Sequence, residues 1–251
     1  MTILHAVSWR VDRGQHWVIL GANGSGKTSL LSALTGYLMP TSGEITIGDA
    51  HFGAADWRDV RTEVGLVSAS LGQRIEPEQT GREVILSGRH AQINLWRRVT
   101  AAEKREAARI LRQVHAGHLA HRPWLFLSQG ERQRILIGRA LMARLKMLFL
   151  DEPCAGLDPV AREDFLGFLQ KLARRPQAPT LVLVTHHVEE IVPVFTHVLM
   201  LHRGRVLACG KKASVLTSAN LGKTFGAGVT LRRTGSRYRL GIAPRHASFS
   251  S

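Results

Sequence analysis

The chain is short of cysteine, of tyrosine and of acid. Its 251 residues hold two cysteines, Cys154 and Cys209, far apart in sequence. Two thiols so placed exclude a disulfide framework and a cysteine-rich metal site, and they make a reducing compartment the default. No apolar run reaches the roughly 20 residues of a membrane span. The best candidate, 180–201, is interrupted by His186, His187, Glu189, Glu190 and His197, so any membrane this chain serves is expected to be crossed by another chain. Met1 to Arg10 carries no signal-peptide pattern. Acid is scarce: 19 Asp and Glu stand against 34 Lys and Arg, a formal net charge of +15. From Lys211 onward there is no acid, only Lys211, Lys212, Lys223, Arg232, Arg233, Arg237, Arg239 and Arg245. Such a balance suits nucleic acid or an anionic membrane surface; an Arg-rich proteome or a solvated face accounts for it as well.

What is present is a core. Hydrophobic residues make up 44% of the chain, enough for one large α/β domain or two small ones, and no internal repeat is visible. The most informative stretch is Gly21-Ala22-Asn23-Gly24-Ser25-Gly26-Lys27-Thr28, which fits G-x-x-x-x-G-K-[ST]. Val18-Ile19-Leu20 before it reads as a buried strand. Leu30, Leu31, Leu34 and Leu38 after it recur at helical spacing. Strand, glycine loop and helix together let backbone N–H groups surround a polyphosphate, and the helix start adds unpaired N–H groups and the positive end of its dipole. Lys27 is expected at the β- and γ-phosphates and Thr28 on a magnesium ion, with Ser29 next to it in the first turn.

Along the chain, Val7, Trp9 and Val11 alternate with polar residues and predict a half-buried strand. Glu44 to Gly48 predicts another, with Ile45 and Ile47 inward, and 61–67 a third. From Ser68 to about Leu127 strand-like runs vanish. Thr100-Ala101-Ala102-Glu103 is a capping box, and Ala107, Ile110, Leu111 and Val114 follow at helical spacing. Residues of about 70–127 therefore read as a helical subdomain inserted into a sheet domain. Ile93, Leu95 and Trp96, set among basic residues, form either a partner patch or that subdomain's core. A helix is expected from Arg132 to about Arg144, and Asp158-Pro159 is an N-cap with proline at the first helical position. His197 to Leu201 and Arg205 to Cys209 flank Gly204 as a hairpin. The tail after about Gly222 has weak periodicity and is expected to be loosely ordered.

Met147-Leu148-Phe149-Leu150 is a fully apolar strand ending in Asp151-Glu152-Pro153, and Leu181 to Val184 is another ending in Thr185-His186-His187. Such runs belong to parallel sheets covered on both faces, and ligands gather at the carboxyl ends of those strands. Asp151 is expected to hold magnesium together with Thr28, and Glu152 to polarise a water attacking the γ-phosphate. His186 can reach the same phosphate; His187 fits an ordinary surface or core residue. Ser128 to Glu131 admits two readings, a capping box or an anion site at a helix start.

The ordered set Gly21 to Thr28, Leu127-Ser128-Gln129-Gly130-Glu131, Leu148 to Pro153, Ala155-Gly156-Leu157-Asp158 and Thr185-His186 resembles the ATP-binding cassette ATPases. These stretches look like that family's Walker A, signature, Walker B, D-loop and H-loop, over about Ile3 to Gly210. The resemblance implies a P-loop NTPase (RecA-like) core, with an antiparallel β subdomain and the helical insertion, over 1–221, followed by a basic tail at 222–251. It implies ATP and Mg2+, with catalysis by Glu152 and His186 and metal held by Thr28 and Asp151. Gly21, Ala22, Asn23, Gly24, Ser25, Gly26, Lys27, Thr28 and Ser29 would bind the nucleotide. It implies a homodimer or paired cassette, head to tail, in which Ser128, Gln129, Gly130 and Glu131 meet the partner's ATP and Asp158 lies at the seam. An integral-membrane permease on a separate chain would dock near the helical subdomain, at the cytoplasmic face of the cell membrane. Stretches such as 15–21 and 186–191 are similar to molybdate- and metal-type cassettes.

Three departures stand out. Gln129 and Glu131 replace two positions of the usual Leu-Ser-Gly-Gly-Gln. Ala69 falls where the family has a glutamine that touches magnesium, with Gln73 out of register. No aromatic lies far enough upstream of the glycine loop to stack on adenine, and Trp9, the local substitute, reads as core. The missing glutamine and the basic tail favour an alternative function, a soluble cassette ATPase acting on nucleic acid or ribosomes. An ATP-switched binding module is opposed by the intact Lys27, Asp151, Glu152 and His186.

Overall fold

The computed structural model of the chain describes residues 2–53, 60, 63–90, 93–95, 98–143 and 145–243. Its first part runs β1 (Trp17–Leu20), α1 (Lys27–Leu34), β2 (Thr46–Ile47), β3 (Ala50–His51), β4 (Val64–Val67) and the helical turn α2 (Ala69–Gly72). Then come α3 (Gly81–Ser87), α4 (Ala101–Gln113), α5 (Gln129–Met142), β5 (Met147–Asp151), α6 (Pro159–Ala173) and β6 (Thr180–Thr185). The hairpin β7 (His197–His202) and β8 (Arg205–Lys211) leads to α7 (Lys212–Val215), α8 (Ser218–Phe225), β9 (Val229–Thr234) and β10 (Arg237–Ile242).

The main sheet has the order β4-β5-β6-β1-β7-β8. All neighbours are parallel except β7 and β8. Strand residues alternate between faces, and the burial follows that period. Val18, Leu20, Leu148, Leu150, Leu181 and Leu183 feed one core, under α5 and α6. Trp17, Ile19, Phe149, Val182 and Val184 feed the other, under α1. A strand buried on both faces needs apolar residues at every position, which is why these segments read as unbroken apolar runs.

The helical part is fixed at its starts. Thr80 with Glu83, Thr100 with Glu103 and Ser128 with Glu131 each form a reciprocal capping box. α3, α4 and α5 pack through Ile85, Ile110, Ile135 and Ile137, all fully buried. Ile93 and Leu95 pack partly buried against this core, which favours the core reading of that stretch; Trp96 lies outside the described residues.

Four expectations are corrected or lie outside. Residues 7–11 form no strand, because no neighbouring strand offers them a ladder. Leu4, Val7, Trp9 and Val11 instead lay one side against the core under α1, with Trp9 edge-on to Trp17 at 5.4 Å. The antiparallel β part is, among the described residues, the short hairpin β2–β3. The helix begun before Arg132 ends at Met142, and Arg61, Arg144 and Arg245 lie outside the described residues.

The fourth correction is the tail. Instead of loose order, residues 218–242 fold as α8 and the β9–β10 hairpin. Leu221, Val229, Leu231, Tyr238 and Leu240 join the core through this segment. Its basic residues take part: Arg237 makes a bidentate pair with Glu163 at 2.7 and 2.8 Å and donates to the Glu189 carbonyl at 2.8 Å. The Glu189 carboxylate accepts from the Leu240 N–H at 3.0 Å. Burying a single Leu or Phe contributes about 1.5–3 kcal/mol, whereas a half-exposed ion pair gives about 1 kcal/mol at most. The ion pair therefore sets where the hairpin sits more than how stable the fold is. Arg237→Ala should leave the unfolding free energy measured in urea within about 1 kcal/mol of the parent, yet speed proteolytic cleavage in 226–236. Cleavage at the parent rate would mean that apolar packing alone seats the hairpin.

Candidate nucleotide site

β1 lies between β6 and β7, the point where the strand order reverses and crossovers leave in opposite directions. Leu20 is level with Thr185, and Asp151 with Val184, so the ends of β1, β5 and β6 meet at one edge of the sheet. The glycine loop rises from that edge. A Cβ on Gly21 would collide with Ser25 Oγ and the Leu201 carbonyl. Gly26, with φ 101°, ends the loop in the left-handed region that side chains disfavour. Gly26 offers no side-chain cap, and the first turn of α1 holds no acid. The opening N–H groups of α1, which have no intrahelical acceptor, and its dipole are thus left for an anion. Ser25 Oγ is buried with no protein partner.

Lys27 is 6% exposed and donates to the carbonyls of Gly21 at 2.9 Å and Ala22 at 3.2 Å. Its ammonium is 3.7 Å from Glu152. Burial pushes its pKa down, against the opposing pull of Glu152 and Asp151. Burial pushes Asp151 up, and the neighbouring Glu152 charge adds to that, while Lys27 opposes it. Glu152 adopts φ 45°, a left-handed conformation costing a residue with a Cβ about 1–2 kcal/mol. Its N–H is anchored on the Val184 carbonyl at 2.9 Å and its Oε1 lies 3.0 Å from His186 Nδ1. With Glu152 ionised, Nδ1 carries the shared proton. His187 lies against His186 with ring centroids 4.0 Å apart; burial and that neighbour lower its pKa. Behind them, Thr185 donates to the buried Glu190 at 2.6 Å and accepts from the His187 N–H at 3.0 Å, which holds the strand end in place. Glu190 is a supporting residue that sequence reasoning passed over. Its only signal was an acid five residues beyond a strand-end threonine.

A cavity of about 530 Å3 opens beside the loop, with Thr28 and Asp151 in its wall together with Ser68, Ser70 and Arg139. Thr28 and Asp151 offer a hydroxyl and a carboxylate, hard oxygen donors that fit Mg2+, an ion usually held by one or two protein groups plus phosphate and water. Among the described residues no group of three His, Cys, Asp or Glu could hold a metal without such help.

The remaining candidates lie elsewhere in the chain's own surface. Ser128 caps α5, accepting from the Glu131 N–H at 3.4 Å, and Glu131 accepts from the Ser128 N–H at 2.8 Å. Those hydrogen bonds, with Arg122 and His118 nearby, hold the Glu131 pKa down against burial, the largest opposing cause. A Cβ added at Gly130 would come into ordinary contact with Leu157, and one at Gly156 with Gln129. Asp158 caps α6 through the Val160 and Ala161 N–H groups, both at 2.9 Å. Among the described residues no hydrogen bond joins 128–131 to the glycine loop. Lys27, Asp151, Glu152 and His186 are thus brought together, while Ser128 to Glu131 and Asp158 form a second group.

A glycine loop between a buried strand and a helix, facing two carboxylates at the end of β5, defines a P-loop nucleotide hydrolase. A profile described as ABC transporter matches residues 4–155. The ATP-binding protein YlmA of Bacillus subtilis is 41% identical over 224 residues, 89% of this chain and 85% of its own. The manganese transport system ATP-binding protein MntB of the same organism is 31% identical, covering 91% and 88%. A metal-chelate type ABC transporter solved in an inward-facing conformation is 27% identical with a TM-score of 0.77, over 96% of this chain and 90% of that one. The cassette MJ0796, solved as a dimer with ADP and phosphate, is 25% identical with a TM-score of 0.70, over 83% and 90%. The chain belongs to the ABC transporter family, as its ATP-binding and ATP-hydrolysing subunit. These relatives and neighbours are transporter cassettes, which sets aside the nucleic-acid alternative.

The raised Asp151 pKa carries a sign. Below the ordinary carboxylate range the folded and unfolded chains both hold the proton, and that state's stability is lost as pH rises through the raised folded value. Asp151→Asn should therefore be more stable than the parent to urea near about pH 7 without nucleotide, the advantage fading toward about pH 4. A less stable variant would mean that attraction to Lys27 outweighs the burial of the carboxylate.

Proposed function

We propose that the chain hydrolyses ATP at the β1, β5 and β6 strand ends and powers a transporter by closing against a second cassette. The observation that carries the chemistry is the Lys27–Glu152–His186 chain of contacts at 3.7 and 3.0 Å, set beside an uncapped helix start. The triphosphate lies along Gly21 to Ser29, and Lys27 exchanges its two carbonyls for phosphate oxygens. Thr28 and Asp151 hold Mg2+, which when bound neutralises phosphate charge. Glu152 orients the water that attacks the γ-phosphate and accepts its proton. The P–O bond to ADP breaks as the bond to water oxygen forms, giving ADP and phosphate. His186 positions Glu152 through Nδ1 and lies close enough to the strand ends to answer the γ-phosphate.

Ser128 to Glu131 complete the site of a second copy, and Asp158 lies at the seam between them. Support comes from their separation from the loop of their own chain, and from the dimeric MJ0796 cassette. The permease docks on the helical insertion of about 70–127, where Ala69, Gln73, Trp124, Leu125 and Arg132 line a second cavity of about 310 Å3. In this reading a separate permease chain crosses the membrane and the cassette sits on its cytoplasmic face; no helix of the described residues is long and apolar enough to cross one. Likeness to a manganese cassette and to a metal-chelate transporter supports a metal or metal-chelate cargo.

Lys27→Ala should weaken ATP binding by about 100-fold, the loss of charge-assisted bonds from a desolvated site; titration calorimetry checks it, and parent-like affinity would sink the assignment. Glu152→Gln should bind ATP, slow hydrolysis by about 100- to 10,000-fold and accumulate a dimer on gel filtration with ATP and Mg2+. Purified with ATP from solubilised membranes, that variant should carry a stoichiometric polytopic protein. Turnover at the parent rate would remove Glu152 from its role, and capture of salt-sensitive RNA alone would remove the permease.

A further inference from the structure

Position 69, where the family resemblance places a metal-touching glutamine, does not face the nucleotide cavity. Ala69 lines the second cavity, on the helical side, while its neighbours Ser68 and Ser70 line the first, with Thr28 and Asp151. The sheet explains the placement. Val67 at the end of β4 is level with Leu150 of β5, so Ser68 comes level with Asp151, one interstrand spacing of about 4.8 Å away. Ser68 leaves the strand in extended conformation, φ −146° and ψ 158°, and is 4% exposed.

The two serines form a hydroxyl pair, Oγ to Oγ 2.9 Å. Ser68 Oγ also accepts the Leu71 N–H at 3.3 Å, which caps α2. Two hydroxyls carry two protons. One lies in the pair, and the other has no protein acceptor among the described hydrogen bonds, so it is left for whatever occupies the cavity. Hydroxyl oxygens keep lone pairs as well, and such acceptors beside a hydroxyl and a carboxylate suit the waters of a hydrated divalent cation, which donate outward, while the free proton suits a triphosphate oxygen.

We propose that the Ser68–Ser70 hydroxyl pair is a positioning element for the metal–nucleotide complex, hydrogen-bonding the cation's water shell from the end of β4 in place of a side chain at position 69. This rests on the reading that Thr28 and Asp151 hold the cation. The same segment turns Ala69 toward the groove proposed for the permease, and Gly72 at its far end lines that groove together with Trp124 and Leu136 of the helical part. Occupancy of the metal end would thus be felt at α2 without a glutamine.

The test uses the full chain, a non-hydrolysable ATP analogue and Mn2+, followed by electron paramagnetic resonance of free and bound ion. Ser70→Ala removes one hydroxyl from an exposed position that caps nothing, so folding is kept. It should raise the Mn2+ needed for half-saturation about fivefold, the worth of one net hydrogen bond, and the Ser68→Ala, Ser70→Ala double variant about 25-fold. Analogue affinity without metal should not change, and Ser68→Thr, which keeps a hydroxyl, should behave as the parent. An unaltered Mn2+ requirement in Ser70→Ala and in the double variant, or an equal loss without metal, overturns the proposal. Asp151→Asn run alongside separates the two readings. If it alone raises the Mn2+ requirement, only the serine proposal falls. If it too leaves the requirement unmoved, the assignment of Asp151 to the metal falls first.

Discussion

A buried ammonium held at the ends of three parallel strands is the constraint on which the site depends. Lys27 is 6% exposed, and its desolvation is only partly offset by two loop carbonyls and by the fields of Glu152 and Asp151. The carbonyls come from the loop after β1 and the carboxylates from the end of β5, two strands away with β6 between, so the compensation requires the whole edge to be in register. Leu20 must be level with Thr185 and Asp151 with Val184, and β1 must lie between β6 and β7. The two apolar cores that clamp those strands hold the register, because a one-residue slip would send every side chain to the opposite face. The costs at the edge, a left-handed Glu152 and an Asp151 carboxyl above its usual range, are sustained by that packing. Nucleotide binding would exchange internal partners for phosphate oxygens without moving the strands.

Much of this was legible in the chain. Val18-Ile19-Leu20, Leu148-Phe149-Leu150 and Leu181 to Val184 announce doubly covered strands because a two-faced burial leaves no polar position to blur the signal. The caps at Thr100, Ser128 and Asp158 were equally readable, since capping is local chemistry. Thr80-Gly81-Arg82-Glu83 carries the same signature at the start of a helix of only 7 residues. What failed depended on partners distant in sequence. Residues 7–11 have the alternation of a strand but no ladder to join. The tail lacks periodicity over long windows, yet it is held by Arg237 on Glu163 and Glu189, contacts 74 and 48 residues away that no local pattern announces.

The basic composition has a structural side for the same reason. In a segment without acid, like charges would repel, and the structure answers by borrowing carboxylates from elsewhere. Arg237 takes Glu163 of α6, and the Glu189 carboxylate takes a backbone N–H of β10. Lys212 donates to the Val192 carbonyl and lies 5.8 Å from the Tyr238 ring. These contacts tie the C-terminal hairpin to Glu189, which follows His186 by three residues. The segment after β8 is therefore braced on the strand end that carries the candidate catalytic imidazole, and part of its charge is consumed in doing so.

The division between the two groups of site residues is set by where helix starts point. α1 begins at the strand edge with no side-chain cap and no acid in its first turn, so its amides remain for a ligand of its own chain. α5 begins with Ser128 and Glu131 closed on each other, and α6 with Asp158 closed on Val160 and Ala161. A helix start satisfied internally has less need of an anion, and it binds one where an approaching surface brings the phosphate to it. Two copies facing head to tail would do that, each presenting an uncapped start from one chain and a capped one from the other. In that arrangement the strength of closure depends on how readily the Ser128 and Glu131 box yields its N–H groups. Burial pushes the Glu131 pKa up, but its hydrogen bonds with Ser128 and the nearby Arg122 hold it down, so the box is charge-assisted and would yield more readily to a strongly charged ligand than to a weak one. Of the three phosphates the γ would lie farthest toward those donors, so its departure on hydrolysis would leave them without a phosphate in reach, which gives the closed state a reason to require intact ATP.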